Sequence, residues 1–415
     1  MLIIRTGDNN NGKQFLALGG ELHNSSASDL SYMDRVVWPS LRQLGAGFYL
    51  APVYWELLEP QEGVFDLELV DGLIDQARRE GVRLGLLWFG IWKNGASDYV
   101  PQWIKLDHSR YFTARDEKGS PLPVISPFCK DIVDLDERAF VKLMEHIKEY
   151  DGEQNTVIMV QVENEVGIWF HDRDFCEAAN EMYEKEVPAE VASDFNVSGN
   201  WAEAFGPAAC DKFMAYVYAK VVEQITAAGK KAYPLPMFVN TVVGAKDLHP
   251  AGGPDSDVHD VWKKYAPSVD FYSPDLYVPS FKEISEAFCK DGNPLFIPET
   301  NLGKNVCSNL IYAMGKHGCI GFNPFGIERL FIAPDPMGSA PPVPMGNDNI
   351  TPQRGQDLKR TYRMVSVLWR RSERPIRKSG SMRSFSRLTV PRELPAACRL
   401  PTRARRWSYR DSDLR

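Results

Sequence analysis

Short apolar runs rich in β-branched and aromatic residues alternate with longer stretches of helical period along most of the chain. The runs are FLALGGEL (15–22), GFYLAPVYW (47–55), RLGLLWFG (83–90), TVIMVQVENE (156–165), PMFVNT (236–241), DFYSPDLY (270–277), PLFIPET (294–300) and CIGFNPFG (319–326). Helical patterns lie between them at 29–45, 67–81, 136–152, 212–229, 257–265, 281–290 and 305–317, and a last one at 356–371 follows the eighth run. Gly45, Gly81, Gly229 and Gly318 stand where a left-handed C-cap would end such a helix. The runs are continuously apolar rather than alternating, as in parallel strands covered on both faces. Eight strand–helix units predict an α/β fold, a (β/α)8 TIM barrel with long βα loops, over residues 1–371. A doubly wound open sheet is the structural rival. It would usually carry a glycine-rich phosphate turn after an early strand, and GGELHNSS is not G-x-G-x-x-G.

Residues 372–415 break the pattern. This irregular C-terminal tail is arginine-rich, without helical or strand period, and is expected to be poorly ordered. The 415-residue chain is otherwise ordinary for a globular protein, with 44% hydrophobic and 25% charged residues. A net charge of -7 argues against nucleic acid or an anionic membrane as partner. No apolar run is long enough to span a bilayer. The N-terminus lacks the apolar core of a signal peptide, which predicts a cytoplasmic protein and leaves export open. Seven scattered cysteines without C-x-x-C favour free buried thiols over a zinc or redox motif.

In such a barrel the chemistry sits at the C-terminal ends of the strands, and the loops at 90–135, 166–205 and 327–355 are the long ones. Polar residues at those ends are His23, Glu56, Glu59, Asn164, Glu165, Asn240, Tyr277, Glu299 and Asn323. Two glutamates, Glu165 ending the fourth run and Glu299 near the end of the seventh, follow apolar segments whose burial would otherwise exclude a charge. Paired carboxylates across a barrel mouth suit glycosidic bond cleavage. One protonates the leaving oxygen while the other attacks or activates water. A retaining enzyme holds them roughly 5 Å apart, an inverting one about 6.5–9.5 Å. The fourth run also contains Glu163. In a regular strand Glu163 and Glu165 point the same way, and period alone cannot choose between them.

The motifs resemble a known family. Asn164-Glu165 ending the fourth strand with Glu299 ending the seventh looks like the clan A retaining glycoside hydrolases. MVQVENEVG is very similar to the QVENEYG motif of family 35 β-galactosidases, and GGELHN resembles that family's first-strand SGSIHY. APVYWELLEPQEGVFDL resembles its second-strand segment and the family 42 equivalent, and PLFIPET resembles the nucleophile strand. The resemblance covers roughly residues 13–330 and is nearest the branch with an extra C-terminal β-domain, which the tail does not resemble. It implies Glu165 as general acid/base and Glu299 as nucleophile. Asn164 would then bind the sugar 2-hydroxyl, Tyr277 would donate to Glu299, and His23 would contact a sugar hydroxyl. The implied activity is retaining exo-hydrolysis of terminal β-linked galactose from oligo- or polysaccharides, with no cofactor and no metal. Oligomeric state is left open. The sequence departs from the family at the third strand, where LLWFGIWKNG lacks the expected glutamate, and at the second, where Pro52 replaces a tyrosine.

Trp88, Trp92 and Trp169, near the ends of strands three and four, are expected to form a sugar platform, because flat apolar ring faces pack on sugar C–H faces. Glu59 is expected to order its own loop, and Glu163 to brace the site from one layer deeper. A metal-dependent hydrolase would need clustered histidines at strand ends, and only His23 qualifies. A Schiff-base enzyme would need a strand lysine, and the eight runs contain none. The remaining alternatives are another clan A β-glycosidase or a non-catalytic carbohydrate-binding barrel.

Overall fold

The computed structural model describes residues 3–4, 13–243, 250–331 and 352–372. Its core is one parallel sheet of eight strands. These are β1 Ala17–Glu21, β2 Phe48–Tyr54, β3 Arg83–Lys93, β4 Val157–Asn164, β5 Met237–Val242, β6 Phe271–Asp275, β7 Phe296–Ile297 and β8 Gly321–Phe322. Their order is β6-β5-β4-β3-β2-β1-β8-β7. The two ends meet where Leu276 bridges Thr300 and donates its N–H to the Glu299 carbonyl at 2.9 Å. The sheet therefore closes on itself as a (β/α)8 barrel, and the open-sheet rival falls. Every residue of β2 and of β4 is buried, as continuous apolar runs require.

The helices are α1 Trp38–Leu44, α2 Glu68–Glu80, α3 Lys130–Asp151, α4 Ala209–Ala232, α5 His259–Tyr265, α6 Phe281–Phe288, α7 Val306–His317 and α8 Pro352–Ser372. Gly45, Gly81 and Gly318 end α1, α2 and α7 in the left-handed region that glycine adopts freely. Gly229 does not: α4 runs on to Ala232. A Cβ on Gly229 would lie 2.3 Å from the Phe140 ring, so this glycine lets α4 approach α3. The predicted helix at 136–152 begins earlier, at Lys130. Tyr362 of α8 donates to the Gly19 carbonyl at 2.5 Å, tying the last helix to the first strand.

Two of the three long loops carry structure of their own. The β3–α3 connection holds an antiparallel hairpin, Thr113–Arg115 with Pro121–Ile125. The β4–α4 connection holds helices Glu177–Glu184, Ala189–Phe195 and Trp201–Phe205. Most of the third loop, 332–351, and the tail beyond Ser372 lie outside the described residues. Among the described residues six cysteines are free thiols, and no helix is long and apolar enough to cross a membrane.

Candidate active site

Strand β4 delivers its glutamates through a break in its own regularity. Glu163 and Glu165 both have left-handed backbone, φ 61° and 47°. This conformation is costly for residues with a Cβ and concentrates at functional sites. The two side chains part instead of sharing a face. Glu163 turns to β3, where it accepts the Ile91 and Trp92 N–H groups at 3.2 and 2.7 Å. Glu165 joins Asp275 at the end of β6 and Glu299 beyond β7. One carboxyl oxygen from each lies within 4.8 Å of the other two. Glu165 and Glu299 are only 2% and 4% exposed, so their charges act on each other through little water.

Hydrogen bonds fix the nucleophile candidate from two sides. Tyr277 donates to Glu299 Oε2 at 2.6 Å. Asn164 and Asn240 aim their Nδ2 groups at Glu299 Oε1 from 3.4 and 3.5 Å. The Asn164 amide is oriented by Lys93, whose Nζ donates to Oδ1 at 2.9 Å. Asn240 accepts the Glu165 N–H at 3.0 Å and donates to Asp275 Oδ2 at 2.8 Å.

The acid candidate sits in different surroundings. Burial, then the Glu299 charge, pushes the Glu165 carboxyl up to about 7, against the opposing pull of Lys93 and a hydrogen bond with Asp275. A carboxyl of that kind holds a proton it can give near neutral pH. Two carboxyls with environments this unlike suit an acid and a nucleophile.

The site also presents acceptors that no donor among the described residues reaches. Both oxygens of Glu21, Oε2 of Glu165, Oδ1 of Asp275, Oδ1 of Asn323 and Oε2 of Glu328 are buried without a hydrogen-bond partner. His23 lies beside them, half-buried. Its N–H binds Glu328 Oε1 at 3.0 Å and its ring packs 5.3 Å from Phe325. Burial lowers its pKa and favours the neutral imidazole.

Glu165, Glu299, Asn164 and Tyr277 thus converge as expected, with His23 at the edge. Two of the three tryptophans do not. Trp88 is fully buried, gives its Nε1 proton to Asp136 on α3 at 2.7 Å and packs against Trp55 and Phe140. Trp92 is buried against Tyr218, with Nε1 on the Ile125 carbonyl at 3.0 Å. Both face outward from β3 into the layer between sheet and helices, so neither can be a platform. Trp169 stays at the mouth. It is partly exposed, donates to the Glu165 carbonyl at 3.3 Å and lies against Gly95, where a Cβ would be 2.4 Å from the indole. Glu59 orders its loop, accepting from Trp55, Gly63 and Arg138. Glu56 forms a rim ion pair with Lys105.

Sequence reasoning assigned no role to Lys93, Asp275, Asn240 or Glu21. Lys93 was placed beyond the third strand, yet β3 extends to it. Glu21 and Asp275 are charges inside apolar runs, the same signal in the sequence that Glu165 and Glu299 carry.

Fold and site together define a closed (β/α)8 barrel with an acidic centre at its C-terminal mouth. Residues 43–214 match the family model of glycoside hydrolase family 42, described as β-galactosidase. The clan A likeness is thus carried by family 42, a different family from the family 35 of the motif comparison. Solved structures agree in fold. A β-galactosidase from Bacillus circulans sp. alkalophilus superposes with a TM-score of 0.54 at 16% identity, over 75% of this chain and 50% of that one. A GH42 β-galactosidase from G. stearothermophilus gives 0.59 at 14%, over 85% and 57%. The endo-β-1,4-mannanase of Thermotoga petrophila gives 0.53 at 15%, over 89% and 79%. The chain spans about half the length of the two β-galactosidases. No curated protein matches its sequence.

Proposed function

We propose that this chain is a retaining exo-β-glycosidase that removes terminal β-linked galactose from oligo- or polysaccharides. The observation that carries the reading is the approach of the Glu165 and Glu299 carboxyls to within 4.8 Å. That separation favours direct attack, because an inverting enzyme leaves about 6.5–9.5 Å for a water. Glu299, oriented by Tyr277 and the asparagine amides, forms the bond to the anomeric carbon. Glu165 gives its proton to the departing oxygen, then takes one from the water that releases the sugar. Asn164, with its Nδ2 turned to Glu299 by Lys93, meets the 2-hydroxyl, a contact that strengthens in the transition state. The unpartnered acceptors of Glu21 and Asn323 call for a ligand rich in hydroxyl donors. Trp169 lines the mouth as the remaining aromatic platform.

Galactose is the first glycon to test, since the family 35 motifs and the family 42 match both point to β-galactosides. The test is a nitrophenyl glycoside panel of β-galactoside, β-glucoside, β-mannoside and α-arabinoside. Turnover of another member in place of the galactoside replaces the glycon but keeps the mechanism. Sugar binding without turnover of any leaves a carbohydrate-binding barrel. A 2-fluoro glycoside should trap Glu299; a label on any other residue overturns the nucleophile assignment.

A further inference from the structure

Three carboxyls meet where a retaining mechanism uses two. Asp275 is fully buried and accepts from Asn240 Nδ2 at 2.8 Å through Oδ2 alone. Its Oδ1 has no donor, and neither has Oε2 of Glu165. One oxygen of each nevertheless lies within 4.8 Å of one oxygen of the other, with Glu299 as the third member of the group. Two ionised carboxylates offer only acceptors and repel each other at that approach in a buried site, so a proton held by one of them satisfies both orphan oxygens. We infer that Asp275 is a proton-bearing positioning residue, whose neutral carboxyl donates to the inner oxygen of Glu165 and reserves the other oxygen for the leaving group. The inference rests on the acid/base role given to Glu165.

The surroundings decide which partner keeps the proton. The largest charges acting on Asp275 are Glu299 from beyond β7, Glu165 from the end of β4 and Glu21 from β1, all acidic. From β5 it accepts from the neutral amide of Asn240. Lys93, the ammonium of the site, acts on Glu165 and favours its ionised form. Burial first, and these acids after it, hold Asp275 well above the usual carboxylate range. The reaction does not consume this proton. In the first step Glu165 protonates the glycosidic oxygen as that C–O bond breaks and Glu299 bonds to the anomeric carbon. The new Glu165 carboxylate then accepts more strongly from Asp275. In the second step Glu165 takes a proton from water, the water oxygen bonds to carbon and the Glu299 ester bond breaks.

The test is infrared difference spectroscopy on the full chain at pH 8, wild type against Asp275→Asn, an isosteric change that keeps the Asn240 contact. Loss of one protonated-carboxyl C=O band is expected; loss of a carboxylate band overturns the inference. This readout needs no turnover, so it stands apart from the glycoside panel. Kinetics supply the second readout. With the amide still donating, kcat should fall on the order of 10-fold while the alkaline limb of kcat/KM holds its position. If Asp275 is ionised, removing its charge moves that limb toward acid by about a unit or more. Stoichiometric binding of calcium or magnesium to wild type, abolished in Asp275→Asn, would put a cation in place of the proton and also overturn it.

Discussion

Two acidic clusters begin two residues apart on β4 and are built on opposite plans. The Glu163 cluster lies between sheet and helices. Glu163 accepts two backbone N–H groups, and Asp136 on α3 accepts the Trp88 indole through Oδ1. The Glu165 cluster lies at the barrel mouth, and several of its oxygens have no protein partner. Both clusters are buried and both hold raised pKa values. Burial and perturbed titration therefore do not distinguish a brace from a catalytic centre. What separates them is how far the hydrogen-bond accounting closes: in the Glu163 pair one oxygen, Asp136 Oδ2, lacks a partner, whereas at the mouth both oxygens of Glu21 and one each of Glu165 and Asp275 do.

The largest expected contrast is in turnover. Glu299→Gln and Glu165→Gln should each lower kcat/KM by about 10²–10⁴ or more, measured on an unactivated galactoside. Glu165→Gln should lose far less on a glycoside whose leaving group needs no proton. Glu163→Gln should stay within about tenfold of wild type; a loss equal to that of Glu165→Gln would abolish the distinction.

Stability should show the reverse order. Glu163→Leu removes the acceptor of the Ile91 and Trp92 N–H groups, each costing about 1–3 kcal/mol when left buried and unpaired. Chemical denaturation should find it the most destabilised single variant of the two clusters.

The pH dependence of stability is a smaller effect with a defined sign. Burial raises Asp136 from 3.8 to about 6 and Glu165 from 4.5 to about 7. Groups raised in the folded state stabilise it below their unfolded pKa values, and that contribution is lost as pH rises through the folded ones. The melting temperature should fall between roughly pH 4 and 7, and Asp136→Asn should flatten the lower part of that slope.

The smallest changes concern the groups that tune the mouth. Lys93 pulls the Glu165 pKa down, so Lys93→Met should shift the alkaline limb of kcat/KM to higher pH. A shift to lower pH would remove Lys93 from the charge balance of the site. Gly95→Ala meets both a left-handed backbone, φ 67°, and the Trp169 indole. It should cost about 1 kcal/mol or more in stability and raise KM by displacing that ring.

Much of this arrangement was legible in the sequence, for physical reasons. Strands covered on both faces must be continuously apolar, so all eight declared themselves, β7 and β8 included although only two residues of each pair as strand. Glu165 and Glu299 were legible because a charge ending an apolar run has to be explained. The faces of β3 were not. Its run from Leu84 to Trp92 is buried on both sides, and an all-apolar strand carries no alternation to say which tryptophan looks into the barrel. Trp88 and Trp92 were misplaced for that reason, and Lys93 was overlooked because the strand reaches further than its apolar pattern.

The sequence by itself determined the number and order of the strand–helix units, the glycine stops of α1, α2 and α7, and the two glutamates that close the fourth and seventh apolar runs. Hydrophobic period, glycine's backbone freedom and the cost of burying a charge are properties of short segments and can be read from them. Only the tertiary structure decided that Glu163 and Glu165 face different partners, that Asp275 makes a third carboxyl of the pair, and that Lys93 orients Asn164. Those outcomes depend on left-handed backbone at two strand residues and on barrel closure, which brings side chains from β3, β4, β5, β6 and β7 within hydrogen-bond reach.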